Sequence, residues 1–318
     1  MTTPRPLLYH ILKSARPRQW IKNIALYAAL VFSGLFFSIK ADGQSYFEVV
    51  TFAFFIFCLL TSAVYLVNDI IDVEADRHHP FKKKRPIASG ELPVPIAIFT
   101  VIVLLCLVFL FSLWLPTFFQ LLVLAYFLLQ LLYATKLKHI AIFDVASIAL
   151  GFLIRIYAGA VVVDLHMSVW FLLTVISASL FLAVGKRQSE RTLMQGNQIG
   201  ETRSSLKQYS QRLLDQYTGM FATATWLTYA LFTFQNEVIR PDARFADLYT
   251  FLPRTLQSQK LLMLTLPFVI FGVMRYLQLV YESNQGESPE RVLLGDKMLL
   301  TTAITFGIAV MVLIYIVT

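Results

Sequence analysis

Hydrophobic and polar positions fall in long blocks along this chain, not in a short alternating period. Each apolar run is long enough to cross a bilayer, or nearly so, and predicts a membrane-spanning helix. The pattern predicts nine, at 24–39, 46–67, 96–115, 117–134, 141–163, 168–185, 217–236, 260–281 and 297–317, the first shorter than the rest. The expected fold class is therefore an all-α polytopic membrane protein. Composition agrees: the chain is 57% hydrophobic and 14% charged, against about 25% charged in a soluble domain. The first apolar run follows some twenty mixed residues and has no small-residue cleavage site, so it is expected to be a retained helix rather than a signal peptide.

Lys and Arg give the orientation. With the N-terminus inside, the inward segments carry 20 of them and the outward segments 5, a strong positive-inside bias. The net charge of +8 is then largely a matter of topology, and nucleic acid is not an expected partner. The basic inner face should attract anionic membrane lipids and anionic substrates. Cys58 and Cys106 lie in predicted spans and read as inert thiols. No Cys/His spacing suggests zinc, and no phosphate-binding G-x-x-x-x-G-K-[ST] loop points to an ATP-driven pump.

The densest polar block follows the second run, from Asn68 and Asp69 through Asp72, Glu74 and Asp76 to Lys82, Lys83, Lys84 and Arg85. If the helix continues through it, Asp69, Asp72 and Asp76 fall at about 0°, 300° and 340° around its axis, with Glu74 pointing away. Three carboxylates on one face suit Mg²⁺, which takes hard oxygen ligands and keeps positions open for phosphate. Lys82 to Arg85 could hold the anionic remainder of the same ligand. Together they suggest a diphosphate site at a membrane surface.

Two long inward loops, at about 68–95 and 186–216, lie four spans apart. A four-plus-four repeat would bring them together to cap one site in a single domain over 1–318. A third inward loop holds Tyr133, Lys136 and Lys138, with Asp144 just inside the next span. The 186–216 segment opens with Gly185, Lys186, Arg187 and Glu190; Lys186 and Glu190 are one helical turn apart. Arg155 sits within a span, where a cation is by default a functional residue. Lys22 and Asn23 open the first span. Arg275 and Asp164, nearer the outer ends, read as structural.

The order N-D-x-x-D-x-x-x-D, a basic stretch, and then Arg85-Pro86-Ile87-Ala88 with Gly90 resembles the first signature of the UbiA-type intramembrane prenyltransferase superfamily. Further words resemble its decaprenyl-phosphate phosphoribosyltransferase branch. They are Arg16-Pro17-Arg18-Gln19-Trp20-Ile21-Lys22-Asn23, Tyr133 with Leu137-Lys138 and Asp144, Gly151 to Arg155, and Gly185-Lys186-Arg187 with Glu190. The match runs from about residue 14 to 300. Most members carry a second D-x-x-x-D after the sixth span, and this chain does not.

The resemblance implies a nine-helix bundle around a central cavity, Mg²⁺ as cofactor, and phosphoribosyl pyrophosphate and a polyprenyl phosphate lipid as substrates. It implies Asp69, Asp72 and Asp76 as metal ligands, and these three with Lys186 and Arg187 as the catalytic set. Lys22, Asn68, Lys82, Arg85, Tyr133, Lys138, Asp144, Arg155 and Glu190 would contact substrate. The protein would sit in a bacterial inner membrane with its site facing the cytoplasm, and a homo-oligomer is compatible with the pattern. Two other functions fit less of the sequence. A prenyltransferase acting on an aromatic acceptor would want the second acidic motif. A cation transporter or channel would want acids deep in its spans, not at an inward helix end.

Overall fold

The computed structural model describes residues 6–40, 43–78, 82–196, 204–235, 260–282 and 289–317. In chain order, α1 (Leu7–Ala15) leads into a 3₁₀ helix over Pro17–Tyr27, then α2 (Ala28–Phe32), α3 (Tyr46–Ile71) and α4 (Val73–His78). A 3₁₀ turn at Lys82–Lys84 precedes α5 (Val94–Ser112) and α6 (Thr117–Thr135); another at Leu137–His139 precedes α7 (Phe143–Val161). Then come α8 (Val169–Gly196), α9 (Ser204–Lys207) and α10 (Gln211–Gln235). After a 3₁₀ turn at Leu261–Thr265, the chain forms α11 (Leu266–Tyr281), α12 (Pro289–Gly295) and α13 (Lys297–Tyr315). Among the described residues no strand forms, only an isolated bridge between Ile39 and Ser45.

Seven helical segments among the described residues are long and apolar enough to cross a membrane, and the chain is an integral membrane protein. They correspond to seven of the nine predicted runs. The run at 24–39 is not one helix. It divides among the 3₁₀ helix, the five-residue α2 and a turn where Gly34 takes φ 77°. The run at 217–236 does form a 25-residue helix, α10, but it is less apolar than the seven. Its polarity is largely threonine, and Thr218, Thr225 and Thr228 each donate their hydroxyl to the carbonyl four residues back at 2.7 Å. A hydroxyl satisfied within its own helix costs little to bury.

The described residues form two compact units, one within 1–28, 38–147 and 154–164, the other within 29–37, 148–153 and 165–318. In the first, α3 is the central element: 67% of its apolar window is buried, against 17% for α5. Prolines at the starts of α5 and α6, where a missing N–H costs nothing, set where those helices begin. Exposed Phe99, Phe109, Trp114 and Phe118 then face outward, as expected of surfaces against lipid.

In the second unit α8 packs along α10. Thr218, Ala222 and Thr225 are buried along one side of α10, and Ala222 shares a cluster with Phe181 of α8. The segment expected as a loop from 186 is helical to Gly196, so Lys186, Arg187 and Glu190 lie on α8 itself. Arg187, Gln188 and Ser189 are buried there, which is why the helix continues after the apolar run has ended. Residues 197–203 of that predicted loop lie outside the described residues.

Candidate active site

The acidic block sits where α3 ends. Asp69 is in its last turn, Asp72 is the C-cap with φ −89° and ψ 6°, and α4 restarts at Val73. Hydrogen bonds from the Asp72 N–H to the Asn68 carbonyl (2.9 Å) and from the Asp76 N–H to the Asp72 carbonyl (2.8 Å) carry the chain across the break. The helix expected to run on through the acidic block is therefore interrupted at the middle aspartate.

Each acid meets a cation. Asp69, 2% exposed, accepts from Arg16 Nη2 at 2.5 Å and Arg85 Nη1 at 3.1 Å through the same Oδ1. The same Arg85 nitrogen reaches Asp76 Oδ2 at 2.5 Å. Asp72, more exposed, accepts from Lys138 Nζ at 2.7 Å. Among the described residues no three His, Cys, Asp or Glu side chains are grouped to hold a metal ion. Arg85 draws Asp69 and Asp76 together, while Asp72 turns to the loop after α6.

Local structure presents these cations. The Lys82 carbonyl accepts the Arg85 N–H at 2.9 Å, closing the 3₁₀ turn that aims the Arg85 guanidinium back at α3. Half-buried Lys82 and Tyr133 lie in that turn and in the last turns of α6. Asp144 is fully buried in the first turn of α7, just after Ile142, whose φ of 70° is unusual for a β-branched residue.

Arg16 belongs to one of the family words but is not among the expected site residues. It sits in the left-handed region (φ 52°, ψ 60°) between α1 and the 3₁₀ helix, and its guanidinium also lies over the Tyr65 ring at 5.0 Å. The only signal in the sequence was its position in that word; its pairing with Asp69 spans 53 residues.

Arg155 is deep in α7 and 6% exposed. Its Nε donates to Asn23 Oδ1 at 3.0 Å, its Nη2 to the Tyr126 hydroxyl at 2.5 Å, and its guanidinium lies over the Tyr126 ring. Asn23 and Tyr126 are thus further members of the polar interior that sequence reasoning did not assign. Half-buried Lys22 precedes Asn23 on the 3₁₀ helix.

In the second unit the charges pair within one helix. Arg187, with no exposure, reaches Glu190 Oε2 at 2.5 Å, and Lys186 Nζ lies 3.9 Å from Glu190 Oε1. Two cations thus share one acid. Gln188 donates to Asp215 Oδ1 at 2.8 Å, tying α8 to α10 beside them. Gly185 leaves room for Tyr276, because a Cβ there would come within 2.9 Å of its ring and push it aside.

The UbiA prenyltransferase family matches residues 26–317. The chain belongs to that family. Within it, a decaprenyl-phosphate phosphoribosyltransferase from Mycolicibacterium smegmatis is 35% identical over 93% of this chain and 89% of its own length. One of the same name from Corynebacterium glutamicum is 34% identical over 98% of this chain and 89% of its own length. Among solved structures, a UbiA homolog from Archaeoglobus fulgidus bound to GPP and Mg²⁺ superposes with a TM-score of 0.64, covering 95% of this chain and 99% of that one at 16% identity. That last likeness establishes a shared UbiA fold.

Proposed function

We propose that this UbiA-family protein transfers 5-phosphoribose from phosphoribosyl pyrophosphate to a polyprenyl phosphate, at the cytoplasmic face of a bacterial inner membrane. The carrying observation is the 34–35% identity, over at least 93% of this chain and 89% of each relative, to two decaprenyl-phosphate phosphoribosyltransferases. The charge pattern supports it. Where most of the superfamily has a second acidic pair, α8 offers Lys186 and Arg187 against Glu190, an arrangement suited to a site holding two anionic substrates.

In this reading an oxygen of the acceptor phosphate attacks ribose C1, the bond from C1 to pyrophosphate breaks, and polyprenyl-phosphoryl-5-phosphoribose forms with inversion. A phosphate monoester is largely dianionic near neutral pH, its second pKa being roughly 6, so no strong general base is needed. The work lies in neutralising the leaving group and aligning the attack.

Asp69, Asp72 and Asp76 offer carboxylate oxygens alone, the donor type a hard divalent cation takes. They would hold Mg²⁺, whose charge would neutralise the departing pyrophosphate. Arg16, Arg85 and Lys138, which balance the three acids, would turn to substrate phosphate as those acids take up the metal. Buried Arg187 is fixed by Glu190, whereas Lys186 is partly exposed and more loosely paired, so Lys186 is the cation with reach.

The test is purified protein in lipid nanodiscs given phosphoribosyl pyrophosphate and a polyprenyl phosphate, with pyrophosphate release and lipid mass followed together. A product heavier by one phosphoribosyl group is expected. Absence of that product, with prenylation of an aromatic acceptor when a prenyl diphosphate is supplied, would replace this reading with the other superfamily chemistry.

A further inference from the structure

The 3₁₀ helix over Pro17–Tyr27 is 11 residues long, where such helices usually run three or four, and it carries a period-three pattern. Residues three apart eclipse one another on a 3₁₀ helix, so Trp20, Asn23 and Leu26 share a face. That face is fastened along α3. Trp20 Nε1 donates to Ser62 Oγ at 3.0 Å. Asn23 Nδ2 reaches Thr61 Oγ1 at 3.2 Å and Cys58 Sγ at 3.4 Å. Farther along, the Tyr27 hydroxyl donates to Thr51 Oγ1 at 2.8 Å. The upper end of this strap is Arg16 on Asp69. Numbers rise along the strap as they fall along α3, so the two run antiparallel from the acidic junction into the membrane.

The strap is also gripped by α7. Arg155 holds Asn23 Oδ1. One turn on, Gly159 lies against the Leu26 carbonyl so closely that a Cβ would run into that oxygen. Asn23 and Leu26 are both without exposure. Arg155 and Gly159 therefore grip successive turns of the same 3₁₀ face, one by a hydrogen bond and the other by lacking a side chain.

We infer that Arg155 is a positioning residue for the acidic junction: through Asn23 it holds the strap on α3 and so keeps Arg16 on Asp69, without itself touching substrate. The inference rests on the proposed function only for its turnover readout. It replaces the expectation that Arg155 contacts a phosphate. A long 3₁₀ helix has weak hydrogen-bond geometry of its own. Its place is set by side-chain bonds to α3 and α7, and the charge-assisted bond from Arg155 is the strongest available at its middle.

Cys58 supplies a readout independent of turnover. It is 1% exposed beneath Asn23, and the chain's other cysteine, Cys106, lies exposed on α5. In a Cys106→Ser background, alkylation of Cys58 by N-ethylmaleimide reports how often the strap lifts. Arg155→Leu should speed alkylation at least about tenfold, the shift expected for losing a charge-assisted bond from a local opening equilibrium. Asn23→Ala and Gly159→Ala should each do the same from a different side of the clamp. Arg155→Lys, which can serve Asn23 or Tyr126 but not both, should fall between.

Turnover supplies the second arm. In protein already carrying Arg16→Gln, adding Arg155→Leu should lower pyrophosphate release no further, because both act through one contact. Unchanged alkylation in Arg155→Leu and in Arg155→Lys would overturn the inference, as would turnover losses that multiply in the double variant. No release even from unsubstituted protein would sink the functional reading instead, and the alkylation rates would still decide whether Arg155 holds the strap.

Discussion

The acidic junction of the first unit and the α8 charges of the second solve opposite problems. At the junction three carboxylates meet three cations that arrive from three other places in the chain, Arg16, Arg85 and Lys138. On α8 two cations share one acid within a single helical turn. The first arrangement is balanced and depends on tertiary structure. The second is built from residues one helical turn apart on α8. Pairing across distant segments suits a place that must exchange its cations for a ligand, and two adjacent cations on one helix suit a place that must attract an anion.

The largest effect should come from unbalancing the junction. Asp72→Asn removes the most exposed of the three acids without changing volume. Pyrophosphate release should fall by about 100-fold or more, the scale seen when a preorganised charge is lost, while the melting temperature stays near that of the parent. Asp69→Asn should also lose activity, but at a cost of about 3 kcal/mol in stability, because it strands two guanidinium groups around a buried site. Thermal unfolding read beside release separates the two. If Asp72→Asn turns over normally, the junction is not the centre of the chemistry.

The α8 side should respond less. Lys186→Gln is expected to weaken capture of phosphoribosyl pyrophosphate or of polyprenyl phosphate by about tenfold, the worth of one charge-assisted bond, with little change in melting. Arg187→Gln should weaken binding and lower the melting temperature as well, since it leaves Glu190 without its buried partner. Titration of each substrate checks both. Unchanged dissociation constants in both variants would remove the reason for reading α8 as an anion site.

The smallest effect sharpens the contrast with an ion pair that has no part in the chemistry. Asp296 caps α13, accepting from the Leu299 N–H at 2.8 Å, and Arg275 Nη2 reaches it at 2.7 Å. The Arg275 hydrogen bond, helped by that N–H, holds the Asp296 carboxyl below its usual value of 3.8. A depressed folded pKa adds stability that is complete above 3.8 and lost as pH falls through the lower, folded value. Asp296→Asn keeps the cap and removes the charge, so parent and variant should differ slightly in melting temperature at neutral pH and converge as pH falls below 3.8. A difference that grows on acidification would have the sign wrong.

Much of this was legible in the sequence where one physical cause dominates. Apolar run length placed α3, α5, α6, α7 and α13 within a few residues, because a helix in lipid satisfies its backbone internally whatever its neighbours do. Lys186, Arg187 and Glu190 were legible as a cluster because their contacts are local. The strap was not. Its period-three face is filled by Trp20, Asn23 and Leu26, and a count of apolar residues cannot separate that from an ordinary short span. The end of α8 was misread for a related reason: hydropathy marks where the apolar stretch stops, while the helix goes on through buried Arg187, Gln188 and Ser189. Nor was the partner of Asp72 legible: Lys138 lies 66 residues away, which no local rule reaches.

The threonines of α10 have a consequence for what holds the second unit together. In a bilayer, lipid tails are as apolar as leucine, so nothing is gained by hiding leucine against leucine. What draws two helices together is how closely their backbones approach, and bulk on the facing surfaces works against that. Thr218, Ala222 and Thr225, buried along one side of α10, are thin where thinness matters, leaving room for Phe181 of α8 beside Ala222, and the back-bonded hydroxyls bring no unmet polarity with them. The polar extension of α8 that carries Lys186 and Arg187 is thus anchored by a seam whose strength lies in the volume it leaves out.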